Sequence, residues 1–326
     1  MPDRPAGDAP DPPVFRGESL LEIVAYLAAR LAAGASALRF EVRDPDHARG
    51  RHAGERVLVD DVAYVHRPFR VWVDLAARLE LRLLTPRPAA PPRIELRLER
   101  LDRAADWHAA DVADPSEKYG VDSSFARITK LEDPDFVLDV ADAVERVGLT
   151  AGARVLELGV NRGDLLALLD GLVPGLAARG TLVGVDHSRS ALAAAQARFP
   201  GGRFIAADLA RLADLELDGF DLVVAIDTLQ SSGLDDRALL RHVVQRCLAP
   251  RGAVLLGVPN CRYLDGEVVH GARMRNFRQP ELGLVIKDVA FYRKYLQQHG
   301  RTVHVTGKHE LLITGVCPAA APVMPL

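Results

Sequence analysis

The chain has 326 residues, enough for two domains with separate cores. With 48% hydrophobic and 26% charged residues it reads as an ordinary globular chain, and its net charge of -3 argues against a field that would draw the whole protein to nucleic acid. Cys247, Cys261 and Cys317 have neither metal-site spacing nor the density of a disulfide framework, which points to a reducing compartment. No apolar run reaches signal-peptide or transmembrane length, so a cytoplasmic protein without a membrane partner is expected.

In chain order, residues 1–15 are rich in Pro and Asp and read as a disordered tail. "GESLLEIVAYLAARLAAG" then spaces Leu20, Leu21, Val24, Leu27 and Leu31 as an amphipathic helix, with Gly34 as its stop. "ALRFEVRD" and "RIELRLERL" alternate apolar and charged residues as half-buried strands do. "RPFRVWVDLAARLEL" between them reads as a helix, and "TPRPAAPPR" as a break. Residues 16–105 are thus expected to form a small α+β domain, with no motif of recognisable chemistry. His47, His52 and His66 fit no compact metal site, and no metal is expected.

Residues 106–134 read as a connector, and 135–318 as the second domain, with 319–326 a tail. "DPDFVLDVADAVERVG" gives a helix with Phe136, Val137, Val140 and Val144 apolar. After it, "RVLELGV", "TLVGVDH", "RFIAADL", "FDLVVAID" and "AVLLGVPN" read as strands parted by helix-length runs. That rhythm implies an α/β, doubly wound parallel sheet. The helix "ELGLVIKDVAFYRKYLQQHG" and the close pair "RTVHVTG" and "ELLITGV" end it, the pair spaced for an antiparallel hairpin.

The loop in "LELGVNRGDLL" carries Gly159 and Gly163 but has Asn161 where a dinucleotide loop would place its middle glycine. That glycine lets the backbone approach a pyrophosphate, and a Cβ obstructs the approach. A cofactor without phosphate needs only the tight turn and an open helix start, and Asn tolerates left-handed backbone angles. Asp186, Asp208 and Asp227 come next, at the ends of successive predicted strands, where open α/β sheets bind ligands.

On these residues, the stretch from about 135 to 316 resembles a class I S-adenosylmethionine-dependent methyltransferase, especially the group that includes the quinone-biosynthesis methyltransferases. "ARVLELGVNRGDLL", "GVDHSRSALAAAQARF", "AADLARL" and "FDLVVAIDTLQ" stand as its first four motifs. The resemblance implies a Rossmann-like, seven-stranded sheet with an antiparallel last strand, and S-adenosyl-L-methionine as cofactor. It places Glu157, Gly159, Val160, Asn161 and Gly163 at the methionine and ribose side, and Asp186 on the ribose hydroxyls. His187, Asp208 and Leu209 come at the adenine, and Asp227 is a cofactor contact or a base. The departure at Asn161 is shared by some methyltransferases.

Methyl transfer from a sulfonium depends mainly on alignment, so the acceptor leaves little signature. Asp227, Asn260 and Tyr263 are the candidates for catalytic residues; Cys261 has no evident base partner. Eight Arg and Lys residues between Val268 and His309 (Arg273, Arg275, Arg278, Lys287, Arg293, Lys294, Arg301 and Lys308) face only Glu281 and Asp288 in opposite charge. In the closing helix, Leu282, Val285, Ile286 and Val289 are expected to form the core stripe. Lys287, Phe291 and Lys294 share the opposite face, where an aromatic between lysines suits an anionic ring substrate. Tyr119, Arg127 and Lys130 in the connector are further candidates, to meet the methionine carboxylate or an anionic substrate. The expected acceptor is a small or carrier-linked, anionic molecule, with an RNA nucleotide as the alternative. A nicotinamide dehydrogenase and a non-catalytic cofactor-binding module are the readings of other classes. Oligomeric state has no signature in the sequence.

Overall fold

In the computed structural model, which describes residues 11–47, 50–105, 114–271 and 282–318, the chain separates into two compact units. One comprises Met1–Asp106 with Tyr263–Val269, the other Trp107–Arg262 with His270–Leu326.

The first unit runs β1 (Val14–Phe15), α1 (Leu20–Ala32), β2 (Ala37–Arg43), β3 (Arg56–Val59), β4 (Val62–Val65), α2 (Phe69–Arg78), β5 (Leu81–Leu83), β6 (Arg87–Pro88) and β7 (Arg93–Arg100). Its main sheet has the order β1-β2-β7-β5, with β6 also on β7, and β3 pairs with β4 as a separate hairpin. The disordered tail expected for residues 1–15 is corrected at its end. Val14 and Phe15 pair with Glu41 and Val42, because burying Phe15 edge-on against Phe40 offsets the ordering of two residues. Ser19 and Glu22 form a capping box that starts α1. Its core contact comes from Ile23 and Leu27, while Leu21, expected in the apolar stripe, is 77% exposed. A one-sided helix buries i and i+4, and the first-turn leucines overhang that face.

The second unit runs α3 (Pro134–Val147), β8 (Arg154–Leu158), α4 (Asp164–Leu172), α5 (Leu176–Arg179), β9 (Thr181–Asp186), α6 (Arg189–Arg198), β10 (Arg203–Ala206), β11 (Phe220–Ile226), α7 (Asp236–His242) and β12 (Leu248–Pro259). It continues with β13 (Cys261–Leu264), β14 (Glu267–His270), α8 (Leu282–Gln298), β15 (Thr302–Gly307) and β16 (Glu310–Val316). The β13–β14 turn has Asp265 and Gly266 both at positive φ, as a two-residue hairpin requires, and its tip, residues 263–269, counts with the first unit.

The large sheet has the order β10-β9-β8-β11-β12-β16-β15. β8 to β12 pair in parallel, and β16 runs antiparallel to both β12 and β15. The central strands are buried on both faces, which is why their sequences read as unbroken apolar runs. On β11, Leu222 and Val224 join one core with α3, α4 and α6, while Val223 and Ala225 join the other with α7 and α8. Each such leucine or valine contributes roughly 1.5–3 kcal/mol by leaving water. The strand order reverses between β8 and β11, so their carboxyl ends open a crevice at the topological switch point.

Candidate active site

The turn after β8 forms the floor of the crevice. Gly159, Asn161 and Gly163 all have positive φ (74°, 45° and 75°), so each residue type suits its backbone. A Cβ on Gly159 would stand 2.5 Å from Thr228 Oγ1, which itself donates to the Leu158 carbonyl at 2.9 Å. The end of β8 and the turn after β11 are thereby locked together. Gly163 caps α4 without a side-chain hydrogen bond, leaving the first amides of that helix open. Val160 points into the core.

Asp186, at the end of β9, is buried and has both oxygens engaged. Oδ2 accepts from Asn161 N at 2.9 Å, and Oδ1 from Ser188 N at 2.9 Å. Glu157 lies within its electrostatic reach, fully buried, with Oε2 lacking a partner. Burial, then the charges of Asp186 and Asp164, push the Glu157 carboxyl well above the usual carboxylate range. His187 is 44% exposed and has Nδ1 3.7 Å from Asp186 Oδ1. Asp208 is exposed and accepts from Ala210 N as a cap, and Leu209 begins the short 3-10 helix behind it.

The connector covers this floor, which the sequence did not reveal in detail. Glu117 accepts from Arg189 N at 2.9 Å and from Ser188 Oγ at 2.9 Å, and Ser190 Oγ also donates to it, so it caps α6 from 72 residues away. Asn161 Nδ2 donates to the Tyr119 carbonyl at 2.6 Å, and Arg162 Nη1 to the Ala126 carbonyl at 2.9 Å. Tyr119 stands edge-on to both Phe125 and His187. Burial, then the charges of Asp227 and Asp186, raise its hydroxyl pKa. "PSEKYG" has no periodicity that would have marked Glu117.

Lys130 also differs from expectation. Its ammonium donates to Asp227 and, at 2.6 Å, to Oε2 of Glu310, so its charge is spent within the protein and is not offered to an anionic substrate. Burial opposes that charge, but the two carboxylates outweigh it and raise the Lys130 pKa. Glu310, the first residue of β16, escapes a reading of the sequence. Its only mark there is a lone carboxylate heading an apolar strand. Asn260 is tied down locally, donating to the His309 and Lys308 carbonyls. Tyr263 belongs to the other unit. Burial pushes the Cys261 thiol up to about 12, too high for a nucleophile at neutral pH. Arg127 is exposed on the connector.

The aromatic platform expected on α8 is not free. Phe291 is half-buried and its ring lies under the Arg237 guanidinium, 4.5 Å from the centroid, and stacks on Tyr295. The core stripe is Val285, Tyr292 and Leu296, while Ile286 is 64% exposed, because the helix turns its Tyr292 face to the sheet. Lys287 and Lys294 are exposed, and Arg273, Arg275, Arg278 and Glu281 lie outside the described residues. Asp133, Asp135 and His309 bring metal-ligand atoms within 4.8 Å of one another. The Asp133 cap on α3 and the 2.6 Å Lys308–Asp135 pair account for that cluster. Among the described residues no helix is long and apolar enough to cross a membrane.

Strand order, left-handed loop and the carboxylate after β9 together give the second unit a Rossmann-like α/β architecture with its crevice at the switch point. Residues 156–254 match the family described as "Methyltransferase domain". Curated relatives include the trans-aconitate 2-methyltransferases of Paracidovorax citrulli, 33% identical over 121 residues, and of Methylobacterium nodulans, 37% identical over 120 residues. Each match covers 37% of this chain, and 44% and 43% of the two relatives, so the chain spans less than half the length of either. A solved S-adenosylmethionine-dependent methyltransferase from Aquifex aeolicus is 16% identical, with a TM-score of 0.39, over 59% of this chain and 98% of that one.

Proposed function

We propose that the chain is an S-adenosylmethionine-dependent methyltransferase acting on a small-molecule acceptor. The observation that carries this reading is the Asp186 carboxylate, pinned by Asn161 N and Ser188 N at the end of β9 beside a loop that leaves α4 open. A carboxylate so fixed has lone pairs left to accept both hydroxyls of an adenosine ribose, with His187 and Leu209 flanking the adenine and Asp208 near its amine.

The cofactor fits the residues present. Glu157 Oε2 is a buried acceptor without a donor, and a methionine ammonium would supply one. Gly159, Val160, Asn161 and Gly163 shape the turn under it. When bound, S-adenosylmethionine supplies a methyl group on a positively charged sulfur. The protein contributes alignment, exclusion of water by the Glu117–Lys130 connector, and a polar acceptor side at Asp227. The likeness to trans-aconitate 2-methyltransferases favours a small molecule over RNA as acceptor. The three unpaired cysteines fit a cytoplasmic setting.

Titration calorimetry with S-adenosylmethionine and with NAD tests the reading. Saturable heat with S-adenosylmethionine is expected; heat with NAD alone sinks it. The same protein should move a tritiated methyl group from S-adenosylmethionine into a small-molecule fraction and not into RNA.

A further inference from the structure

The first unit holds a cleft of about 400 Å³. Every residue lining it belongs to that unit, so what it binds does not depend on the methyltransferase reading. One wall is α2, where Phe69, Val73, Ala76 and Ala77 follow at i, i+4, i+7 and i+8. They form an apolar stripe beside the one, Trp72 and Leu75, that the core takes. The helix is therefore apolar over a wider arc than its own core needs. Leu81 on β5 lies at the floor and is buried, while Phe69 and Val73 stand at the rim, 39% and 44% exposed.

The opposite wall is the tip of the β13–β14 hairpin. Arg82 donates to the Asp265 carbonyl and, at 2.9 Å, to Oε1 of Glu267, and Asp102 N donates to Asp265 Oδ2 at 3.2 Å. Leu264 and Val269 pack on Leu101. These contacts fix the tip and leave the space between it and α2 unfilled, because Ala76 and Ala77 are too short to cross it. Apolar walls that meet water forgo dispersion contacts and hydrophobic stabilisation, and a ligand of matching shape restores both. The volume falls in the range of small-molecule sites and holds roughly a dozen non-hydrogen atoms, at about 30 Å³ each as in liquid water. A single turn of helix with its side chains, about 10 Å wide and 5.4 Å long, already fills that space, so a protein segment is a poor occupant.

Charge decides what the ligand carries. Glu267 is the one charged residue of the lining, with Thr85 the other polar one, and no basic side chain lines the cleft. Arg82, which meets Glu267, also lies 3.4 Å from Asp265 and stands opposite Glu99 on β7, so three carboxylates share one guanidinium. We propose that the cleft is a binding site for a small apolar amine. Its ring or chain lies between α2 and the hairpin tip, and its ammonium meets the Glu267 carboxylate, which is half-exposed and bonds Arg82 through Oε1 alone. A carboxylate or phosphate of the same shape meets like charge there and no cation on the lining.

Calorimetry of the full chain with phenylbutylamine, phenylbutanol and phenylbutyrate, which share their shape and differ in charge, tests the site. Saturable heat with the amine is expected below about 1 mM. Binding should be about fivefold weaker for the alcohol and weaker again for the acid, the size of a partly exposed ion pair. Equal affinities, tightest binding of the acid, or no heat with the amine overturns the proposal. Glu267→Gln should erase the preference for the amine while the alcohol binds as before; a preference that survives removes Glu267 from the site. Ala77→Phe fills the cleft and should weaken the amine at least about tenfold. Should that variant fail to fold, Val73→Trp, on the exposed rim, is expected to do the same, and parent-like binding in the folded variant overturns the location. Displacement of the amine by saturating S-adenosylmethionine would put it in the crevice of the other unit, and overturns the location as well.

Discussion

Asp186 and Asp227 stand on either side of the switch point, each at the end of a parallel strand, and the protein treats them differently. Asp186 is met by two backbone amides, so its charge is matched by fixed dipoles and both oxygens are oriented before any ligand arrives. Asp227 has positive φ, one oxygen on Lys130 and a side-chain hydrogen bond shared with Glu310. The first is a rigid contact suited to neutral hydroxyls. The second belongs to a cluster in which one ammonium meets two carboxyl groups. Position in the fold makes both functional candidates, but the partners around each decide which chemistry it serves.

The largest expected effect breaks the Asp227 side. Lys130→Met removes the ammonium that Asp227 and Glu310 share and should lower unfolding free energy by about 2–3 kcal/mol near neutral pH, measured by urea denaturation. The figure lies below that of a fully buried pair because the Lys130 and Asp227 side chains keep 21% and 32% of their exposure. On the other side, Asp186→Ala should weaken S-adenosylmethionine binding at least tenfold by calorimetry, since it removes the proposed ribose acceptor and frees the Asn161 amide. Unchanged affinity would show that the ribose lies elsewhere.

A pH series sharpens the comparison. Glu157 and Glu310 have carboxyl pKa values raised by folding, so the folded state binds more protons than the unfolded one. Their contribution is complete below the unfolded carboxylate pKa and is lost as pH rises through the raised values, at up to about 1.4 kcal/mol per pH unit per group. Glu157→Gln or Glu310→Gln should flatten that decline in denaturation midpoints measured from pH 4.5 upward. A decline as steep as in the parent would remove the group from the account. The smallest effect is expected at Asn161→Gly, which keeps the left-handed turn but loses the bond to the Tyr119 carbonyl. It should cost about 1 kcal/mol and speed proteolysis within the connector. Equal cleavage rates would mean that Asn161 does not anchor it.

Much of the second unit was legible in its residues. The βαβ rhythm and the terminal hairpin follow from unbroken apolar runs and their lengths. Gly159, Asn161 and Gly163 signalled a left-handed turn because backbone preference is a property of the residue itself. The α8 platform misled, since a helical wheel does not show that Arg237 from another helix covers Phe291. Lys130 misled in the same way. A cation near a predicted site suggests an anionic ligand until its own partners are seen.

What the sequence determined by itself is therefore local: strand and helix periods, turn conformations, and which strand ends carry carboxylates. Only the tertiary structure decided that Lys130 meets Asp227 and Glu310, 97 and 180 positions away, and that Glu117 caps α6. The physical reason is one of range. Dihedral preference and side-chain periodicity act within a few residues, whereas charge pairing and burial depend on which distant segments the sheet order brings together.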